Sequence, residues 1–199
     1  MRTRRTDPDR RDRLIQVTLD LIAESGVAGI SHRKIAAAAD VPLGSMTYHF
    51  TSMDELLREA FTRFAEHIAG SFQARLGAAG NPEEAVDAVV ALVHDLSGPD
   101  SHRHRHRVLA YELYTLAARE PRYRAITTSW MRRSRQELQR HFDPWTTRQL
   151  DALIEGLALH RALDDDPSDR SLTEEAVRRI VTPGPRAVPD DEDCAPTRR

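Results

Sequence analysis

The sequence predicts an all-α protein in which an N-terminal three-helix helix-turn-helix unit precedes a larger helical body. Residues 31–50, SHRKIAAAADVPLGSMTYHF, read as two short helices joined by a tight turn. Beyond them, apolar residues recur at three- and four-residue spacing through several windows of helical length, and nowhere do they alternate like a half-buried strand. Breakers such as Gly77 to Pro82 and Gly98–Pro99 separate those windows.

The first helix is expected from about Asp9 to Glu24, with Leu14, Val17, Thr18, Leu21 and Ile22 on one face and Gly26 at its end. Ser31 is a suitable N-cap for the second helix, whose apolar face is Ile35, Ala36 and Ala39. Asp40, Val41 and Pro42 then break the pattern: Pro42 suits the first position of the next helix and biases Val41 toward an extended backbone. The third helix, Leu43 to His49, offers short donors, a phenol and an imidazole instead of simple helix formers. Such side chains reach phosphates and base edges.

Ser52 with Glu55 three residues later forms a capping-box signature. The helix it opens carries Leu56, Leu57, Ala60, Phe61, Phe64, Ile68 and Phe72 to about Leu76, a length of over ~30 Å that suffices to link two domains. Further helices are expected over 85–96, 104–120, 122–142, 147–163 and 172–181. The division that follows is a helix-turn-helix domain over 1–50, a helical body over 51–182, and a Pro- and acid-rich tail over 183–199 expected to be disordered.

Composition bounds the function classes. In 199 residues, 40% are hydrophobic and 30% charged, which is ordinary for a globular chain able to bury a core. The formal net charge of -2 is not the footprint of a nucleic-acid binder, but it is unevenly spread: residues 1–50 hold eight Lys/Arg and six Asp/Glu, leaving a net acidic remainder. The single cysteine, Cys194, allows neither an intramolecular disulfide nor a Cys-based metal cluster. With no apolar run near the roughly 20 residues that cross a bilayer and no signal-peptide core after the N-terminal charges, the expectation is a cytoplasmic protein without a membrane partner.

With Arg10 to Ser25 as a preceding helix, the run IAAAADVPLGSMTYHFTSMDELL resembles the DNA-binding domain of TetR/AcrR-type bacterial transcriptional regulators. The match includes Gly44, Tyr48, His49 and Phe50 in order, then Asp54, Glu55 and Leu56, and it covers roughly the first third of the chain; Met53 departs from the lysine common there. The resemblance implies a homodimer that binds double-stranded operator DNA and is released by a small-molecule effector. It also implies dimerisation through the last two long helices. That favours reading residues 147–163, apolar on two flanks, as a dimer helix with Leu150, Ile154 and Leu157 toward its own core and Ala152, Leu153, Gly156, Leu159 and Leu163 toward a symmetry mate.

The DNA-binding candidates are Ser31, His32, Arg33, Lys34, Leu43, Gly44, Ser45, Met46, Thr47, Tyr48 and His49. Within them Ser45, Met46 and Thr47 are the base-reading candidates, while Ser31, Arg33, Lys34, Tyr48 and His49 are expected on phosphates. Tyr48 has a competing reading as a hydrophobic lid on the fourth helix, and His49 one as a capping or core residue. Arg2, Arg4 and Arg5 form an arm suited to a minor groove or to solvent alike.

For the effector, His94, Tyr111, Glu112 and Trp130 combine aromatic walls with polar groups, with Tyr114 a further candidate for the wall. Glu112 lies beside the apolar positions Leu109, Leu113 and Leu116, so it either pairs with an arginine such as Arg133 or Arg135 or serves as a pocket carboxylate favouring a cationic or hydrogen-bonding ligand. The run SHRHRHR over 101–107 places His102 and His106 on one helix face, but the interleaved arginines repel a cation, and a solvated helix start near a domain contact is the favoured reading. No cofactor or metal site is expected.

The sequence has no phosphate loop, HExxH, Cys/His pair or Gly-x-Ser-x-Gly elbow, so no enzyme is expected. The alternatives are a helical ligand-binding protein or enzyme with a vestigial helix-turn-helix, which would show no sequence-specific DNA binding, and an architectural DNA binder, which would be more basic and lack an effector.

Overall fold

A computed structural model describes residues 9–97, 101–164 and 170–182. The arginine arm and the tail over 183–199 lie outside the described residues, as does Cys194. The described elements are α1 (Arg10–Ser25), a 3-10 turn (Val27–Gly29), α2 (His32–Ala38), α3 (Gly44–His49), α4 (Met53–Gly77), α5 (Pro82–Ser97), α6 (Ser101–Arg119), α7 (Pro121–Leu138), α8 (Pro144–Leu163) and α9 (Arg170–Val181).

Helix ends follow local chemistry. The Ser31 hydroxyl accepts from the Lys34 N–H and caps α2, and Ser52 does the same for α4 through the Glu55 N–H. The Glu55 carboxylate reaches back one residue further than a capping box does, accepting from the Thr51 N–H at 2.7 Å and the Thr51 hydroxyl at 2.6 Å. These two bonds hold its pKa below the usual carboxylate value, the hydroxyl contributing most.

Three boundaries differ from expectation. α6 starts at Ser101 instead of 104, so the whole SHRHRHR run lies in its first two turns. α7 stops at Leu138, short of Phe142. α8 begins at Pro144, because the Asp143 carboxylate accepts from the N–H groups of Trp145 and Thr146 while Pro144 sits in the first turn, where its missing donor costs nothing.

Packing places α4 at the centre. Its Leu56, Leu57, Ala60 and Phe61 are buried near the helix-turn-helix, and Phe64, Ile68 and Phe72 continue the same stripe into the body. α1 lies against both α4 and α6, α7 packs on α4 and α6, and α5 packs on α8 and α9. One apolar cluster runs from Leu14 and Ile35 through Phe64 and Trp130 to Ile154 and Val177. Charge pairs reinforce the junction of α1 with the body: Arg11 with Glu59, Arg63 with Asp12 at 2.6 Å, and Arg105 of α6 with Asp20 at 2.6 Å. Partly exposed pairs of this kind contribute less than about 1 kcal/mol each, so they set orientation more than stability. At the start of α4, Asp54 accepts from the Tyr123 hydroxyl at 2.9 Å and pairs with Arg122 at 3.0 Å, locking α7 to the same junction.

Candidate DNA interface and sensor cavity

α2 and α3 are joined by a turn in which Asp40 takes φ 52, a left-handed conformation that aspartate tolerates better than most residues. The packed sides of the two helices are Ile35, Ala36, Ala39, Met46 and Phe50. The outward side carries most of the polar groups. Ser31, Arg33, Lys34, Leu43, Gly44, Thr47 and Tyr48 are exposed, with Tyr48 77% accessible, while His32, Ser45 and His49 are partly covered. Nothing lies within 4 Å of a Cβ built on Gly44, so this end of α3 is open.

Met46 corrects a sequence expectation. It is 1% exposed and belongs to the core, sharing a helix face with Phe50 four residues on, so it cannot reach a base edge. Tyr48 stands edge-on to the His49 ring at 4.9 Å and is not a lid on α4. Thr47 donates its hydroxyl to the Gly44 carbonyl at 3.1 Å, which leaves its lone pairs and methyl group facing outward. Lys34 bends its ammonium to the Gly29 carbonyl, and Ser31 is occupied as a cap.

The body encloses a small cavity of about 40 Å³ walled by Phe64, Ile68 and Phe72 of α4, Leu96 of α5, Trp130 of α7, and Ala158 and Leu159 of α8. α6 contributes His106, Arg107, Ala110 and Tyr111. Of the four effector candidates, Tyr111 and Trp130 line this cavity and His94 and Glu112 do not. His94 lies 3.5 Å from the Arg161 guanidinium, which also donates to the Thr173 hydroxyl and ties α8 to α9. Glu112 points toward the head: a Cβ on Gly26 would sit 2.7 Å from its Oε1. Its suggested partner Arg135 is taken by Asp151 at 3.2 Å.

The carboxylate that does face the cavity is Glu155, which sequence reasoning passed over. The signal was present, since residues 149–159 carry only Asp151 and Glu155 as charges in an otherwise apolar helix. Burial pushes the Glu155 pKa up and the nearby Asp151 carboxylate adds to the rise, while the Tyr114 hydroxyl partly offsets both. Tyr114 stacks on Trp130 at 5.7 Å and 13°, and burial raises its own pKa. The Tyr111 hydroxyl is buried with no hydrogen-bond partner among the described residues, whereas the Tyr114 hydroxyl is turned to Glu155.

His106 contacts the rings of Phe64, His67 and His102, so the histidine cluster is formed by α4 and α6 and His104 takes no part in these ring contacts. Among the described residues no group of three or more His, Cys, Asp or Glu side chains is arranged to hold a metal ion. Nor is any described helix long and apolar enough to cross a membrane.

A polar recognition helix carried on a helical body with a lined internal cavity defines a DNA-binding regulator of the ligand-sensing type. The chain belongs to the TetR family: the model for bacterial regulatory proteins of the tetR family matches residues 14–60, and that for the tetracyclin repressor-like C-terminal domain matches residues 80–183. It is a transcriptional regulator. Similar proteins include the transcriptional regulator BetI of Escherichia coli O157:H7, 26% identical over 87% of this chain and 92% of that protein. Among solved structures, a protein of Streptomyces coelicolor A3(2) described as a transcriptional regulator is 60% identical, with TM-score 0.82 over 88% of this chain and all of that one. The multidrug binding protein EbrR in complex with imidazole is 35% identical, with TM-score 0.75 over 90% of this chain and 99% of that one.

Proposed function

We propose that the protein is a cytoplasmic homodimeric repressor that holds a palindromic operator through two copies of α3 and releases it when a small molecule enters the cavity between α4, α6, α7 and α8. Residues 1–50 serve as the DNA-binding domain and 51–182 as the sensing and dimer-forming domain. Ser45 and Thr47 read base edges; Tyr48, His49, Arg33, Lys34 and the open α3 end at Leu43 and Gly44 engage the backbone, with Ser31 and His32 at the flank. The protein acts by binding, without catalytic turnover.

The observation that carries this reading is the position of α6. Arg107 and Tyr111 face the cavity, while Arg105 and Glu112 of the same helix meet Asp20 and Gly26 of the head. A cavity of about 40 Å³ is far below the roughly 300–1,000 Å³ of small-molecule pockets, so a ligand must part these helices. Trp130 also borders a crevice of about 230 Å³, and Ile68, Phe72, Leu96 and His106 another of about 300 Å³, so modest shifts of these side chains enlarge the site. A ligand favours the expanded state by its differential affinity, and about 1–3 kcal/mol of coupling gives a several-fold to hundredfold loss of operator affinity. EbrR, which has been crystallised with ethidium as well as imidazole, supports assigning small organic ligands to this body.

Dimerisation is assigned to α8 and α9. Leu163 is 74% and Leu172 58% exposed, Ala152 and Leu159 are open, and nothing lies within 4 Å of a Cβ on Gly156, so this seam can approach a second copy closely. The test is selection of bound duplexes from genomic fragments by the purified protein. Recovery of one palindromic motif with half-sites about one helical turn apart supports the reading; uniform binding of unrelated fragments would leave an architectural role.

A further inference from the structure

We infer that the effector of this protein is an aromatic or hydrophobic organic cation, held with Glu155 as its counter-charge and with Trp130, Tyr111, Phe64 and Phe72 as its walls. The inference rests on the cavity being the effector site. Glu155 projects from α8 into a lining that is apolar apart from His106, Arg107 and Tyr111. Among the described residues no lysine or arginine pairs with it, and the charged neighbour that acts on it is Asp151, a second carboxylate. Asp151 is itself answered by Arg135 and Arg148, so those cations are committed beside it.

A carboxylate in such a place carries a cost. Leaving water disfavours its charged form, and a like charge nearby disfavours it further, so the empty site holds an unanswered preference for positive charge. An incoming cation satisfies it without bringing the desolvation cost of a new protein ion pair, because the carboxylate is already withdrawn from water. Arg107, the one arginine in the lining, does not meet the need: its guanidinium turns to the Leu96 carbonyl at the end of α5, 3.5 Å away.

The walls suit the same ligand. Phe64, Phe72, Tyr111 and Trp130 line the space that Glu155 overlooks, with Phe64 edge-on to Trp130 at 5.9 Å. Aromatic faces attract cations through the ring quadrupole, best when water is excluded. The buried hydroxyl of Tyr111, which has no hydrogen-bond partner among the described residues, supplies an acceptor for a donor-bearing cation such as a protonated amine. An anion would instead confront the Glu155 carboxylate, and a neutral ligand would leave that charge without a counter-ion.

The test uses the full-length protein with ethidium as a fluorescent planar cation, and with tetraphenylphosphonium and neutral triphenylphosphine oxide as competitors. Wild-type protein is expected to bind both cations and to prefer tetraphenylphosphonium to the neutral compound. Glu155→Gln keeps the size of the side chain and is expected to weaken both cations at least tenfold while changing the neutral competitor less than threefold. Trp130→Ala, which removes a wall and no charge, is expected to weaken all three. A Glu155→Gln protein that is folded by its thermal transition and binds the cations at wild-type affinity overturns the inference. So does a wild-type protein that quenches Trp130 fluorescence and releases operator only with neutral or anionic compounds, in which case the cavity remains the effector site. If no compound of any charge perturbs Trp130 or operator binding, the effector-site reading falls and the inference with it.

Discussion

Replacing Gly26 by alanine isolates the contact between the head and α6. Gly26 closes α1 with φ 69 and ψ 169, a region essentially confined to glycine, and its N–H still donates to the Ile22 carbonyl at 2.9 Å. A side chain there costs roughly 1–3 kcal/mol in backbone strain alone. It also meets Glu112, whose Oε1 would be 2.7 Å from the new Cβ. That oxygen is the tip of a flexible side chain, so its retreat adds only about 0.5–1.5 kcal/mol. With about 2–4 °C of Tm per kcal/mol for a chain of this size, the two shares together are expected to lower the Tm of Gly26→Ala by roughly 3–18 °C. Far-UV circular dichroism melts of Gly26→Ala, Glu112→Ala and the double variant separate the two parts. The double variant should regain the smaller, steric share and keep the backbone penalty. A Gly26→Ala protein melting with wild type, or a double variant fully restored, would refute this account of the junction.

At the other end of the head, Tyr48→Ala should weaken binding to all duplexes alike with Tm unchanged, whereas Thr47→Ala should alter which base is preferred; a selection experiment with both variants distinguishes them. Met46→Ala should instead cost about 2–5 kcal/mol of stability, read from urea unfolding, because it empties a core position. Gly156→Arg and Leu163→Arg should give folded monomers with reduced operator affinity in sedimentation and footprinting, and an unchanged dimer for both would move the interface elsewhere. Glu155→Gln should melt above wild type at neutral pH. Folding raises the Glu155 pKa, so its protonated form is favoured in the folded state and wild-type stability falls as pH rises through that pKa. The gap between the two proteins should therefore open with rising pH and close in acid, with Asp151, Tyr111, Tyr114, His106 and Arg107 as the other titratable groups around the site. A gap independent of pH would show that Glu155 is not destabilised by its charge.

The helical architecture was legible because it rests on long windows. The stripe from Leu56 to Phe72 fixes both the existence and the buried face of α4, and the flanks of α8 sort in part: Leu150 and Ile154 lie inward and Ala152, Leu159 and Leu163 are open, but Leu153, expected on the outer flank, packs against the chain's own core. α3 is six residues long, too short for periodicity to choose a face unaided. The spacing of Met46 and Phe50, four apart, was the available clue, and the recognition-helix reading obscured it. The Asp143 cap of α8 was likewise written in the sequence as an acid before a proline. What no local pattern holds is which of two neighbouring carboxylates faces a cavity. That depends on how α4, α6, α7 and α8 meet, and it separates Glu155 from Glu112.

The same helix geometry favours a coupling role for Glu112 over a binding one. At about 100° per residue, Arg105 and Glu112 fall within roughly 20° of each other, whereas Arg107 lies about 200° from Arg105. The side of α6 that meets Asp20 and Gly26 is therefore opposite the side that carries Arg107 at the cavity. A rigid helix with a ligand on one side and α1 on the other converts expansion of the cavity into pressure on the head, with no movement of α4 required. α4 is the poorer lever, since its buried stripe and the Asp54 contacts to Tyr123 and Arg122 fasten it to α7 along its length. Breaking the Arg105–Asp20 pair should accordingly loosen effector response more than operator affinity, because the pair transmits displacement and does not touch DNA.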